Sequence, residues 1–129
     1  MTLSERLSRY QPCALAVLRI VTALLFVEHG TQKLLNFPAS DHAGSLPALI
    51  LLAGILEAGG GLLVLFGLLT RPVALVLGGE MAVAYFMAHF PRNFFPANNG
   101  GDAAVLYCFV FLYLVFAGPG LLALDNRNK

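Results

Sequence analysis

Two glutamates interrupt long apolar stretches of this sequence, and they are the side chains best placed to do chemistry. Glu57 lies inside the run 49–70, and Glu80 lies near the centre of the run 72–90. A carboxylate at mid-depth in a bilayer costs about 2.5–3.5 kcal/mol unless it faces a partner or a wet cavity. We therefore interpret both acids as candidate catalytic, proton-handling groups. The alternative for Glu57 is a hydrogen bond across a tight helix seam that serves packing alone.

A second set of polar side chains lies near the ends of the apolar runs. We predict that these residues form a polar mouth above the two acids and bind a cofactor there: Glu28, His29, Lys33, His89 and Asp102. Glu57 and Glu80 should lie at similar depth on adjacent helices. Because like charges repel, two buried acids at close range do not both stay ionised.

Several kinds of site lack their sequence signatures. Histidine and carboxylates on facing helices could form a metal site, but the Glu-x-x-His pattern on two helices is missing, so no metal is predicted. The two cysteines form no CxxC motif, and a net charge of +1 without a basic run argues against a nucleic-acid partner. A proton-linked or quinone-linked site needs only ionisable groups beside an apolar crevice.

The composition indicates an integral membrane protein. The 129 residues, predicted to form a single domain over 1–129, are 58% hydrophobic and 12% charged, whereas soluble domains carry about 25% charged residues. A helix that crosses the bilayer needs about 20 largely apolar residues. The sequence therefore predicts an all-α, four-helix transmembrane bundle with spans at about 13–35, 47–69, 72–90 and 103–122.

The second span has one face of small residues around its acid. Gly54, Glu57 and Gly61 follow the i, i+3, i+7 spacing of one helix face. Small residues let another helix approach closely in a membrane. We therefore expect a tight helix contact beside Glu57.

The first span is unusually polar, and its polar residues fall on two faces. Glu28 and Gln32 lie on one of them. The face roughly opposite contains Arg19, Phe26, Gly30 and Lys33, so we expect the far end of this span to be surrounded by protein or wetted from the membrane surface.

The basic residues predict the orientation in the membrane, because cytoplasmic loops are enriched in lysine and arginine. Both termini are predicted to be cytoplasmic. This orientation leaves two basic residues outside, Lys33 and Arg92, and places five on the cytoplasmic side: Arg6, Arg9, Arg71, Arg127 and Lys129.

Several short motifs, spread from about residue 15 to 125, resemble the DoxX family of small four-helix bacterial inner-membrane proteins. They are HGTQKL at 29–34, EAGGGL at 57–62, LFGLLTR at 65–71, NGGD at 99–102, GPG at 118–120 and LD at 124–125. The resemblance marks Lys33, Glu57, Gly60, Gly67, Arg71, Gly101 and Asp102. Family members more often have Glu where this chain has Asp102.

The resemblance also implies a role, since the family's relatives include the membrane subunit of a thiosulfate–quinone oxidoreductase. We expect a subunit of a quinone-linked oxidoreductase system in the bacterial inner membrane, with quinone as the cofactor. Its expected partners are the lipid bilayer and membrane or periplasmic redox subunits, and self-association stays open. The alternatives are a non-enzymatic anchor or assembly factor for a redox complex and, more weakly, a small proton or solute transporter.

Overall fold

The computed structural model of the chain describes residues 1–40 and 47–128. A short surface helix is followed by three long helices, a short connecting helix and a fourth apolar helix. We label them α1 (Leu3–Ser8), α2 (Gln11–Leu35), α3 (Ala48–Phe66), α4 (Thr70–Arg92), α5 (Pro96–Asn99) and α6 (Asp102–Ala117). Part of the connection between α2 and α3, and Lys129, lie outside the described residues.

The predicted all-α membrane fold is confirmed. Three helices, α2, α3 and α4, are long and apolar enough to cross a bilayer, and α6 is a shorter apolar helix. Within the described ranges the chain contains no strand. The chain is thus a multi-pass helical membrane protein.

The helix ends differ from the predicted spans where the backbone turns left-handed. Leu69 (φ +53°) precedes α4, which therefore begins at Thr70 rather than at residue 72. Gly118 (φ +79°) follows α6, which ends at Ala117 rather than near 122. A backbone in this region cannot continue a right-handed helix.

Helices α2 and α3 pack antiparallel along the small-residue face. A Cβ atom on Gly30 would lie 2.8 Å from the Ala58 Cα atom, and one on Gly61 would lie 2.7 Å from a Val27 methyl group. Both distances are shorter than carbon–carbon contacts allow. The predicted tight contact beside Glu57 is confirmed.

Helices α4 and α6 form the second antiparallel pair. Gly78 of α4 lies against the backbone of α6 at Cys108. The core between the two pairs consists of apolar side chains that are at most 8% exposed: Ala23, Phe26, Val64, Ala74, Leu77, Met81, Ala104, Phe111 and Leu114. This core extends from the region of the α3–α4 turn to the level of Phe26, Met81 and Ala104.

Arg19 holds the C-terminal segment against the bundle. Its side chain is completely buried, and its guanidinium donates to the backbone carbonyls of Pro119, Leu121 (3.0 Å) and Leu122 (2.8 Å). Arg19 thus lies on the buried face of α2 and has a structural role.

Two further polar groups close the same end of the bundle. Arg71 Nη1 donates to the carbonyls of Val115 (2.8 Å) and Phe116 (2.7 Å), at the C-terminus of α6. The Asp125 carboxylate accepts from the backbone N–H groups of Leu69 (2.8 Å) and Thr70 (3.0 Å), at the N-terminus of α4. Both contacts place charges where helix dipoles favour them. We call this region, with the α3–α4 turn and the start of α2, the Arg71 end.

Two π-helical turns lie in the helices that carry the acids. One spans Leu56–Gly60 in α3, and the other spans Tyr85–His89 in α4. A π turn inserts an extra residue and rotates the following side chains relative to a regular α-helix. The face on which His89 lies therefore differs from the one that regular spacing predicts.

Candidate functional site

A groove of about 640 Å³ opens between α3 and α4, away from the Arg71 end. Its outer walls are apolar and well exposed, with Leu49, Leu52, Val83 and Met87 each more than half exposed. Its inner wall comes from α2 and α6. The groove is therefore open at the surface of the bundle between exposed apolar side chains of two helices that are long and apolar enough to cross a membrane.

An ion pair lies at the inner wall of the groove. Lys33 Nζ of α2 donates to Glu57 Oε2 of α3 at 2.7 Å. The Glu57 side chain is 4% exposed and that of Lys33 is 29% exposed. The pair therefore holds a buried carboxylate next to a partly accessible cation.

Glu80 of α4 lies beside this pair. Its carboxyl group interacts electrostatically with the carboxyl group of Glu57 and with the ammonium group of Lys33. Both Glu80 oxygens are buried, and neither has a hydrogen-bond partner among the described residues. The structure thus brings both predicted acids together, as their similar depth on adjacent helices indicated.

Three other titratable side chains line the groove. His89 lies in the π turn of α4, with its Nδ1 atom 3.1 Å from the Asn99 carbonyl oxygen. His29 of α2 lies edge-on to the ring of Tyr107, with 6.0 Å between ring centroids. Tyr107 was not among the predicted site residues. The other aromatic residues of α6 are similar in sequence, and only the packing of the helices shows which of them lines the groove.

Two of the predicted cofactor-binding residues lie outside the groove. Glu28 is exposed on the opposite side of α2 from the buried face. Asp102 is an exposed first-turn residue of α6, where an acid interacts favourably with the helix dipole. Of the five predicted mouth residues, the structure therefore places Lys33, His29 and His89 at the groove.

The described part of the chain was also compared with what a metal site or a disulfide requires. No cluster of three or more His, Cys, Asp or Glu side chains there is arranged to hold a metal ion. Cys13 and Cys108 are both free thiols.

Comparison with known proteins decides the family. The DoxX family model matches residues 14–90, which include α2, α3 and most of α4 and carry Lys33, Glu57 and Glu80. The chain belongs to the DoxX family. The segment from 91 onward, with Asp102 and the GPG motif, lies beyond the matched residues.

The similarity to individual proteins extends over nearly the whole chain. An uncharacterized protein of Haemophilus influenzae is 46% identical and aligns with 95% of this chain and 96% of its own length. Inner membrane protein YqjF of Escherichia coli is 30% identical, over 93% of this chain and 95% of its own. Inner membrane protein YphA of the same organism is 27% identical, over 91% of both. No solved structure matches the chain significantly.

Four of the motif residues that resemble the family form two groups in space. Lys33 and Glu57 form the ion pair in the groove. Gly67 and Arg71 belong to the Arg71 end, where a Cβ atom on Gly67 would lie 2.8 Å from the Ala123 Cα atom. The first group is available for chemistry, whereas the second fixes how the helices and the C-terminal segment pack.

Proposed function

We propose that this DoxX-family protein binds a quinone in the groove and serves as a subunit of a quinone-linked oxidoreductase system in the bacterial inner membrane. The names of the two Escherichia coli relatives, inner membrane proteins YqjF and YphA, and the apolar helices of this chain support the location. One observation carries the ligand class: an apolar groove facing the membrane ends at a buried Lys33–Glu57–Glu80 group.

The groove fits the two parts of such a ligand. Its volume lies within the range of about 300–1,000 Å³ that is typical of small-molecule sites. The exposed apolar residues of α3 and α4 suit a hydrocarbon tail that remains in the bilayer. The unpartnered carboxyl of Glu80 suits a polar head, because a buried polar group gains free energy when a ligand supplies its missing hydrogen bond.

Each polar residue then has a defined task. A bound quinone supplies two-electron, two-proton redox chemistry. Lys33 keeps Glu57 ionised and presents a cation to a ligand oxygen, while Glu80 holds or accepts a proton at its carboxyl group. His29 and Tyr107 provide an aromatic wall beside the ligand ring, and the apolar walls exclude water from it.

Filling the groove tests this proposal without changing a charged residue. Gly79 lines the groove, and a Cβ atom there would meet nothing within 4 Å, so Gly79→Leu adds bulk to the ligand space without a clash at Cβ. Gly59 has the same open surroundings but does not line the groove, so Gly59→Leu is the matched control.

The measurement is the quinone content of protein purified in mild detergent and extracted with organic solvent. We expect near-stoichiometric quinone in the wild type and in Gly59→Leu, and a loss of at least about tenfold in Gly79→Leu. Glu80→Gln should also lower the content, whereas Glu28→Gln, outside the groove, should not. Folded wild-type protein without quinone, or equal quinone in both glycine variants, contradicts the proposal.

A second candidate, a non-enzymatic anchor or assembly factor, is favoured by the way this chain uses charge at the Arg71 end. Arg19 and Arg71 bind only backbone carbonyls there, so some of its intramembrane charges serve packing. If Glu57 does the same, Glu57→Gln should reduce the amount of folded protein in the membrane. Under the quinone proposal the variant stays abundant and folded while the partner redox system fails.

A further inference from the structure

The carboxyl groups of Glu57 and Glu80 are close together but unequal. Glu57 accepts a short hydrogen bond from Lys33, whereas no group in the described chain donates to or accepts from Glu80. Both Glu80 oxygens are buried, although the residue lines the groove. The two acids therefore differ: Lys33 stabilises a negative charge on Glu57, whereas no hydrogen bond in the described chain would stabilise one on Glu80.

The groove contains too few positive charges for two carboxylates. Among the residues that the structure describes, Lys33 is the one lysine or arginine that lines it. Apart from Lys33, Glu57 and Glu80, the titratable groups of these residues that line the groove are His29, His89 and Tyr107, from α2, α4 and α6. With Lys33 and Glu57 both charged, an ionised Glu80 would leave an unbalanced negative charge in a low-dielectric region, which is strongly disfavoured.

We propose that Lys33, Glu57 and Glu80 form a site that binds one proton, with the proton on Glu80. Glu57 stays ionised because Lys33 is its partner. Glu80 stays neutral because a second carboxylate would have no positively charged partner in the groove. The site is electrically neutral in this state. This proton site does not depend on the identity of the ligand, so it goes beyond the proposed quinone function.

An apolar carbodiimide is a direct probe of this arrangement. Dicyclohexylcarbodiimide partitions into the membrane, and a carboxyl group must be protonated to react with it. The groove opens between exposed apolar residues of α3 and α4, which gives the reagent a route to Glu80. The modified residue is identified by mass spectrometry of the intact, detergent-purified protein and its fragments.

We expect one adduct per chain, on Glu80, with labelling that falls as the pH is raised. Glu80→Gln should abolish the adduct. Lys33→Gln removes the cation that keeps Glu57 ionised, so labelling should extend to Glu57. An adduct on Glu57 in the wild type, or labelling of Glu80 alone in folded Lys33→Gln, overturns the proposal.

Infrared spectroscopy provides a second measurement that needs no chemical access. A protonated carboxyl group has a carbonyl stretching band that a carboxylate lacks, and Glu80→Gln should remove such a band from the wild-type spectrum. Wild-type protein with neither the Glu80 adduct nor this band overturns the proposal. Quinone extraction is measured separately, so a chain with the proton on Glu80 but no quinone would refute the quinone proposal alone.

Discussion

Arg19→Met should lower the free energy of unfolding by about 3 kcal/mol or more, because it removes the donor that holds the C-terminal segment. The carbonyls of Pro119, Leu121 and Leu122 would lose their contact with the guanidinium. A buried polar group left without a partner costs about 1–3 kcal/mol, and because these three contacts are only partly buried, their sum lies toward the low end of about 3–9 kcal/mol. The substitution also removes the free-energy cost of keeping the guanidinium charge out of water, which offsets part of this sum. We therefore expect a value at the lower end.

The assay is reversible unfolding in mixed micelles with an increasing fraction of a denaturing detergent, followed by circular dichroism. Arg127→Met is the matched control, because Arg127 is exposed and the same substitution there should change stability by no more than about 0.5 kcal/mol. If Arg19→Met is as stable as this control, the argument that Arg19 is a structural group fails.

Asp125→Ala removes the acceptor for two backbone N–H groups at the start of α4 and should lower stability by about 1–2 kcal/mol in the same assay, as loss of a helix cap does. Burial raises the pKa of Asp125, but these backbone hydrogen bonds and the charge of Arg127 outweigh burial and set the pKa below its usual value. The Asp125 contribution should therefore be present above about pH 4 and be lost as the pH falls further, so a difference between wild type and variant that does not shrink on acidification would contradict the cap. Gly30→Ala should destabilise the protein, because its Cβ atom would lie 2.8 Å from the Ala58 Cα atom. Gly59→Ala, with open space at Cβ, should be neutral or stabilising, and equal melting temperatures for the two alanine variants would contradict the close helix contact.

Much of the site could be predicted because membrane helices restrict where polar residues lie. The regular spacing of Arg19, Phe26 and Gly30 placed them on one face of the first span, and all three are buried. The depths of Glu57 and Glu80 followed from the span lengths alone. The tight contact of α2 with α3 followed from the small residues around Glu57.

Other features of the site depended on details that no local pattern contains. Regular helical spacing puts His89 half a turn from Glu80, yet both line the groove, and a π turn lies between them. Tyr107 joins the groove because of how α6 packs against α2. Glu28 and Asp102 are neighbours in sequence of residues that line the groove, His29 and Ala103, but they are exposed and do not line it themselves.

The sequence by itself determined the class of the protein, its four apolar helices and the depth of its two acids, because hydrophobicity, helical periodicity and small-residue spacing are local properties. Only the tertiary structure decided which charges pair with which. Arg19, Arg71 and Asp125 bind backbone atoms of distant segments, whereas Lys33 binds Glu57. The physical reason is that a buried charge is stabilised by any suitably placed partner, and the packing of the helices determines which partner is within reach.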